Sequence, residues 1–185
     1  MCIRDRDSTA MLFYDLNQPT KILPLPGKLM EISGLSYHPT KHQLLAIHDE
    51  KGFIYFINKE TGKIEDTVDF GKRGDYEGIE KVGNKIYVIK SNGTLSVFDL
   101  DKNKAEDKIK TSLSLANDVE GLGYLENENA LLIACKGKAS INKKEKLKKT
   151  KAFYKFDLTE QQLIEEPWLL AVSYTHLTLP TICSV

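Results

Sequence analysis

The sequence predicts an all-β fold: a β-propeller of four-stranded antiparallel blades, present as an incomplete arc of about three and a half blades. Three observations carry this. The segments EISGLSY (31–37), DYEGIE (75–80) and DVEGLGY (118–124) are variants of one theme, and their glycines Gly34, Gly78 and Gly121 lie 44 and then 43 residues apart. A period in the low forties with strand-like content between the markers is the signature of a propeller blade. Within each period the early strands are rich in Val, Ile and Leu and the last strand is polar, as a sheet buried inside and solvated at its outer edge requires. Finally, no stretch between the turns holds the 3.6-residue period of a helix.

The elements follow in chain order. MCIRDR (1–6) reads as the translation of a transposon end used in sequencing libraries, and is set aside as an assembly scar. A half blade is expected over 7–29, with short strands MLFYDLN (11–17) and KILPLP (21–26). The first full blade, 30–73, reads ISGLSYH, QLLAIHD, FIYFINK and IEDTVDF as its four strands. Asp49-Glu50-Lys51-Gly52 is its central hairpin turn, with Gly52 at the position that tolerates positive φ. The second blade, 74–116, has YEGIEKV, KIYVIKS, TLSVFDL and a weak outer strand near KIKTSL (108–113). Asn92-Gly93 between its second and third strands is among the strongest short hairpin signals. In KIYVIKS, Ile86 and Val88 fall on one face, Tyr87 and Ile89 on the other.

The third blade, 117–170, reads VEGLGYL, ALLIACKG, KAFYKFDL and QLIEEPW, with a lysine-rich insert at 140–151 expected to be a solvated loop. VSYTHLTLPT (172–181) reads as the opposite-strand copy of the library end, so 171–185 is set aside with 1–6. The natural part is taken as 7–170, a fragment of a longer protein open at both ends.

Composition narrows the function classes. Lys plus Arg and Asp plus Glu are each 26, a net charge of zero, so no global field draws the chain to nucleic acid or an acidic membrane. Once the scars are set aside, Cys135 stands alone, which excludes a disulfide framework or a Cys-based metal site. No apolar run in 7–170 is long enough to cross a membrane as a helix.

The first strand of each blade lines the channel of a propeller, so residues at its start converge from different blades on one mouth. Here these are Glu31, Ser33, Asp75, Glu77, Asn117, Asp118 and Glu120. Carboxylates with an amide and a hydroxyl form a hard-oxygen set suited to calcium, which takes about 6–8 oxygen ligands in flexible geometry. Histidine and cysteine, which softer metals need, are absent from those positions. Carboxylates so crowded would repel one another without a cation, and some would titrate upward. The same residues can instead brace the turns by accepting backbone N–H groups, and the sequence supports both readings. Glu77 and Glu120 are the leading ligand candidates, ahead of Asp75, Asp118, Asn117 and Glu31.

Other constellations are weaker. His48-Asp49-Glu50 reads as a turn rather than a catalytic set, since no nucleophile signature accompanies it. Lys136 with Lys138, and Lys72 with Arg73, are the pairs that could meet a phosphate. Tyr37, Tyr76 and Tyr124 read as blade packing.

The combination EISGLSY, LLAIHDEKGFIYFI, GDYEGIEKVGNKIYVIKSNGTLSVFD and NDVEGLGY…ALLIACKG resembles the SdiA-regulated domain family of bacteria, over nearly all of 7–170. The resemblance implies a six-bladed propeller related to the esterase-like phytase region, within the usual range of about four to eight blades. It further implies a cell-envelope or exported protein and a calcium ion. A small molecule or protein at the channel mouth and a monomeric full-length chain are expected besides. The first repeat departs from the Asp-x-Glu-Gly pattern, with Glu31 where Asp75 and Asp118 stand and Ser33 where Glu77 and Glu120 stand. Three functions follow as expectations: a non-enzymatic binding module with calcium, a calcium-dependent phosphoester hydrolase, or a scaffold without metal.

Overall fold

The computed structural model describes residues 18–106, 108–142, 147 and 149–172. The two terminal segments set aside above, apart from residues 171 and 172, and the expected strand at 11–17 lie outside the described residues, as does most of the lysine-rich stretch 143–148.

Three antiparallel sheets follow one another along the chain. The first is β1 (Ile32–His38), β2 (Gln43–His48), β3 (Phe53–Asn58) and β4 (Ile64–Asp69), paired in that order. The second is β5 (Tyr76–Val82), β6 (Lys85–Lys90) and β7 (Thr94–Asp99), with two short pieces, β8 (Lys104–Ala105) and β9 (Ile109–Lys110), both on β7. The third is β10 (Val119–Leu125), β11 (Ala130–Cys135), β12 (Thr150–Asp157) and β13 (Gln162–Ala171). Each is an up-and-down blade, and together they form an incomplete propeller arc.

The blades stack through the alternation of their middle strands. Ile86 and Val88 of β6 join Leu45, Ile47, Ile54 and Phe56 of the first blade in one core cluster. Tyr87 and Ile89, on the opposite face of the same strand, join Leu131, Ile133, Tyr154 and Phe156 of the third. A central blade therefore buries both faces, each large apolar side chain contributing about 1.5–3 kcal/mol by leaving water. The outer strands are exposed: β4 has no fully buried residue.

The innermost strands pass closely enough at Gly34 and Gly78 that a side chain would be crowded there. A Cβ on Gly34 would lie 3.2 Å from the Cα of Gly78, and one on Gly78 would lie 2.8 Å from both N and Cβ of Leu122 and 3.2 Å from the carbonyl carbon of Gly121. The three marker glycines thus sit on adjacent inner strands, as the repeat predicted.

Several local expectations are corrected. KILPLP forms no strand; Pro24 and Pro26 supply no N–H for a ladder, and the segment runs extended beside the β3–β4 turn. Lys21 Nζ donates to the Glu60 carbonyl there at 2.5 Å. Gly52 is not among the positive-φ glycines, which are Gly62, Gly83 and Gly93. It is required by close approach instead: its Cβ would fall 1.9 Å from the Gly71 oxygen. The outer strand of the second blade is split in two, because the charged 101–108 stretch has little β preference. The insert is not wholly solvated: Ile141 and Leu147 pack on the third blade's core. Of the three tyrosines, Tyr76 is fully buried and edge-on to Phe70, Tyr124 is half-buried and packs against the core between the second and third blades, and Tyr37 is 43% exposed.

Candidate functional site

Each innermost strand carries the same irregularity. The register with the second strand shifts between Ile32 and Gly34, between Tyr76 and Gly78, and between Val119 and Gly121. The extra residues are Ser33, Glu77 and Glu120. A bulge bends its strand and re-aims the inserted side chain, so the same structural position in three blades presents a hydroxyl and two carboxylates. Gly34 and Gly78, after the first two bulges, let adjacent inner strands close up, and Glu77 and Glu120 come within reach of each other's charge.

Their electrostatics show this proximity. Burial pushes the Glu77 carboxyl up to about 7, helped by the charges of Glu120 and Asp75 and by a hydrogen bond with Asp75; the ammonium of Lys136 acts the other way. Lys136 Nζ lies 2.6 Å from Glu120 Oε1 and 3.5 Å from Asp118 Oδ2, which partly neutralises this side of the mouth. Asp75 accepts a short hydrogen bond from the Ser91 hydroxyl.

The acids leading each blade share one backbone frame. Asp49, Ser91 and Lys136 donate their N–H groups to the carbonyls of Glu31, Asp75 and Asp118 at 3.1, 3.1 and 2.8 Å. Tyr76 and Val119 donate theirs to the carbonyls of Asp49 and Ser91, tying each blade to the one before. Each leading acid therefore faces the end of its own second strand, where the side chain differs: His48 and Asp49, then Ser91, then Lys136.

The expected oxygen set is accordingly divided. Asp75, Glu77, Asp118 and Glu120 share one region through their mutual charges and Lys136. Asn117 is buried and turned into the protein, its Oδ1 accepting from Ser114 N at 3.0 Å and its Nδ2 donating to Lys138 O at 3.0 Å. Glu31 is drawn to His48, its Oε2 lying 3.1 Å from Nε2. Sequence reasoning overlooked Lys136, Ser91 and His48 as partners of the acids. The available signal was that each stands at the end of strand two, directly across from its leading acid. Neither proposed phosphate pair is free, because Arg73 is held by Glu50 and Lys136 by Glu120. Cys135 is no nucleophile: burial, with the Asp118 charge, pushes its thiol up to about 12.

A pH dependence follows for Glu77. Its folded-state value lies above the ordinary 4.5, so the folded chain holds more protons than the unfolded one between these limits. Through this group, stability is fully retained below about pH 4.5 and is lost as pH rises from there through about 7. The Glu77→Gln variant is expected to lose that fall, which denaturant melts at pH 5, 6, 7 and 8 would read; identical pH slopes in both proteins would contradict it.

Among the described residues no helix is long and apolar enough to cross a membrane. A solved structure titled Kuenenia stuttgartiensis hydrazine synthase matches with a TM-score of 0.55 at 13% identity, over 76% of this chain and 37% of that one. The chain thus spans well under half of that protein, and the likeness is one of fold. No curated protein matches the sequence. The model of the SdiA-regulated family matches residues 9–171, essentially the whole three-blade arc with the segment leading into it, and the chain belongs to that family.

Proposed function

We propose that this arc is part of a non-enzymatic binding propeller of the cell envelope, with a calcium ion at the channel mouth held by Glu77, Glu120 and Asp75. The observation that carries the reading is the bulge repeated on adjacent inner strands, which sets Glu77 beside Glu120 where a hard cation would replace Lys136 as the counter-charge. The crowding that raises Glu77 supports it, since a cation at that point would relieve the repulsion. Three carboxylates meet part of the demand of about 6–8 oxygens, leaving positions for water and for a small molecule or protein ligand. Asp118 stays with Lys136 at the rim.

Calcium titration by calorimetry, with thermal shift in parallel, tests this. Calcium is expected to bind and raise the melting temperature, and Glu77→Gln or Glu120→Gln to weaken binding at least about tenfold, or about 1.4 kcal/mol. No heat and no shift in the unaltered chain would leave a metal-free scaffold. Calcium-dependent turnover of phosphomonoesters, abolished by chelator, would instead favour the hydrolase. The envelope location is checked by fractionating cells that express a full-length family member.

A further inference from the structure

The first blade departs from the other two at one place, and the departure is chemical. Glu31, His48 and Asp49 each offer a ligand atom, and these atoms all lie within 4.8 Å of one another. His48 is 3% exposed, at the end of β2, with carboxylates on both sides of its ring. Its Nδ1 lies 2.9 Å from Asp49 Oδ1 and its Nε2 lies 3.1 Å from Glu31 Oε2.

A neutral imidazole has one N–H and one lone pair. The Glu50 N–H is shared between Asp49 Oδ1 at 2.6 Å and His48 Nδ1 at 3.2 Å. With Nδ1 as that acceptor, Nε2–H donates to the Glu31 carboxylate and the cluster is complete without a metal. With the proton on Nδ1 the ring donates to Asp49, and Nε2 and Glu31 Oε2 face each other as two acceptors that a cation would hold together. The arrangement also matches metal-bound histidines generally, whose second ring nitrogen donates to a carboxylate or carbonyl. Zinc holds nitrogen and oxygen ligands at about 2.0–2.2 Å, so tetrahedral neighbours stand about 3.3 Å apart, close to the Nε2–Oε2 separation here.

We propose that Glu31, His48 and Asp49 form a second metal site, for a borderline divalent ion of the zinc class. His48 Nε2 and a Glu31 oxygen are the primary ligands, Asp49 supplies a carboxylate at the far side, and water completes the shell. An imidazole ligand selects such ions over calcium. Its ligands are different residues from the Glu77, Glu120 and Asp75 of the proposed calcium site. It would also clamp the blade junction, because the Asp49 carbonyl accepts the N–H of Tyr76 at 2.7 Å.

The test is zinc titration by calorimetry, with cobalt absorption as a second readout, on the unaltered chain, Glu31→Gln and His48→Gln. One equivalent is expected to bind, the exposed Glu31→Gln to weaken it at least tenfold while remaining folded, and Glu77→Gln to leave it unchanged. Absence of binding to the unaltered chain would overturn the site, as would equal affinity in Glu31→Gln. Nitrogen NMR showing His48 Nε2 protonated in the presence of zinc, with or without a proton on Nδ1, would likewise overturn it. Calcium binding lost in Glu77→Gln with zinc binding intact would separate the two sites.

Discussion

Gly78→Ala should destabilise the chain by about 2–3 kcal/mol, the upper part of the range for overpacking a close contact. The added methyl would lie 2.8 Å from the backbone nitrogen and Cβ of Leu122, and the third blade's inner strand would have to move to admit it. That strand carries Glu120, so the pairing with Glu77 should loosen with it. Gly121→Ala is the control: its Cβ would meet only Ala134 Cβ at 3.5 Å, an ordinary contact. There the cost should be within about 0.5 kcal/mol of zero, helped by lower entropy in the unfolded chain. Urea unfolding of both variants decides the matter. Equal midpoints would mean that the inner strands are not in the tight contact described.

Tyr154→Ala should be more damaging, at about 3–5 kcal/mol, the range for removing a large buried aromatic ring. Tyr154 is fully buried at the centre of the cluster between the second and third blades. Its hydroxyl donates to the Ala139 carbonyl at 2.7 Å and accepts from the Ile141 N–H at 3.2 Å. Tyr154→Phe keeps the ring and should cost about 1–3 kcal/mol, the penalty for leaving buried polar groups unpaired. Hydrogen exchange should show the loss confined to residues 138–142 in Tyr154→Phe and spread over both blades in Tyr154→Ala. If the two variants unfolded at the same denaturant concentration, the ring would not be the source of the stability.

The blade plan was readable because it is written in short-range terms. Period-2 alternation fixed which side chains of β6 face each neighbour, and Asn92-Gly93 fixed a hairpin, with Gly93 at φ 79° as that turn demands. Where strands were misjudged, a local rule was outweighed. KILPLP alternates like a strand but its prolines cannot enter a ladder, and 104–110 pairs in pieces because its charged residues gain little from a sheet. Gly52 reads as a turn glycine in the sequence, but what requires it is crowding from Gly71, 19 positions away.

What the sequence by itself determined was the repeat, the order of strands in each blade, and the acids that open each inner strand. These depend on spacing and side-chain period, which neighbouring residues share along the chain. Only the tertiary structure decided how those acids are partnered. The bulge aligns Glu77 with Glu120, Lys136 reaches back across a strand to both Glu120 and Asp118, and Asn117 folds inward. Glu31 leaves the set for His48, 17 residues later. Charge pairing acts over a few ångströms of space, and a strand brings residues far apart in sequence to that distance without leaving a periodic trace in the chain.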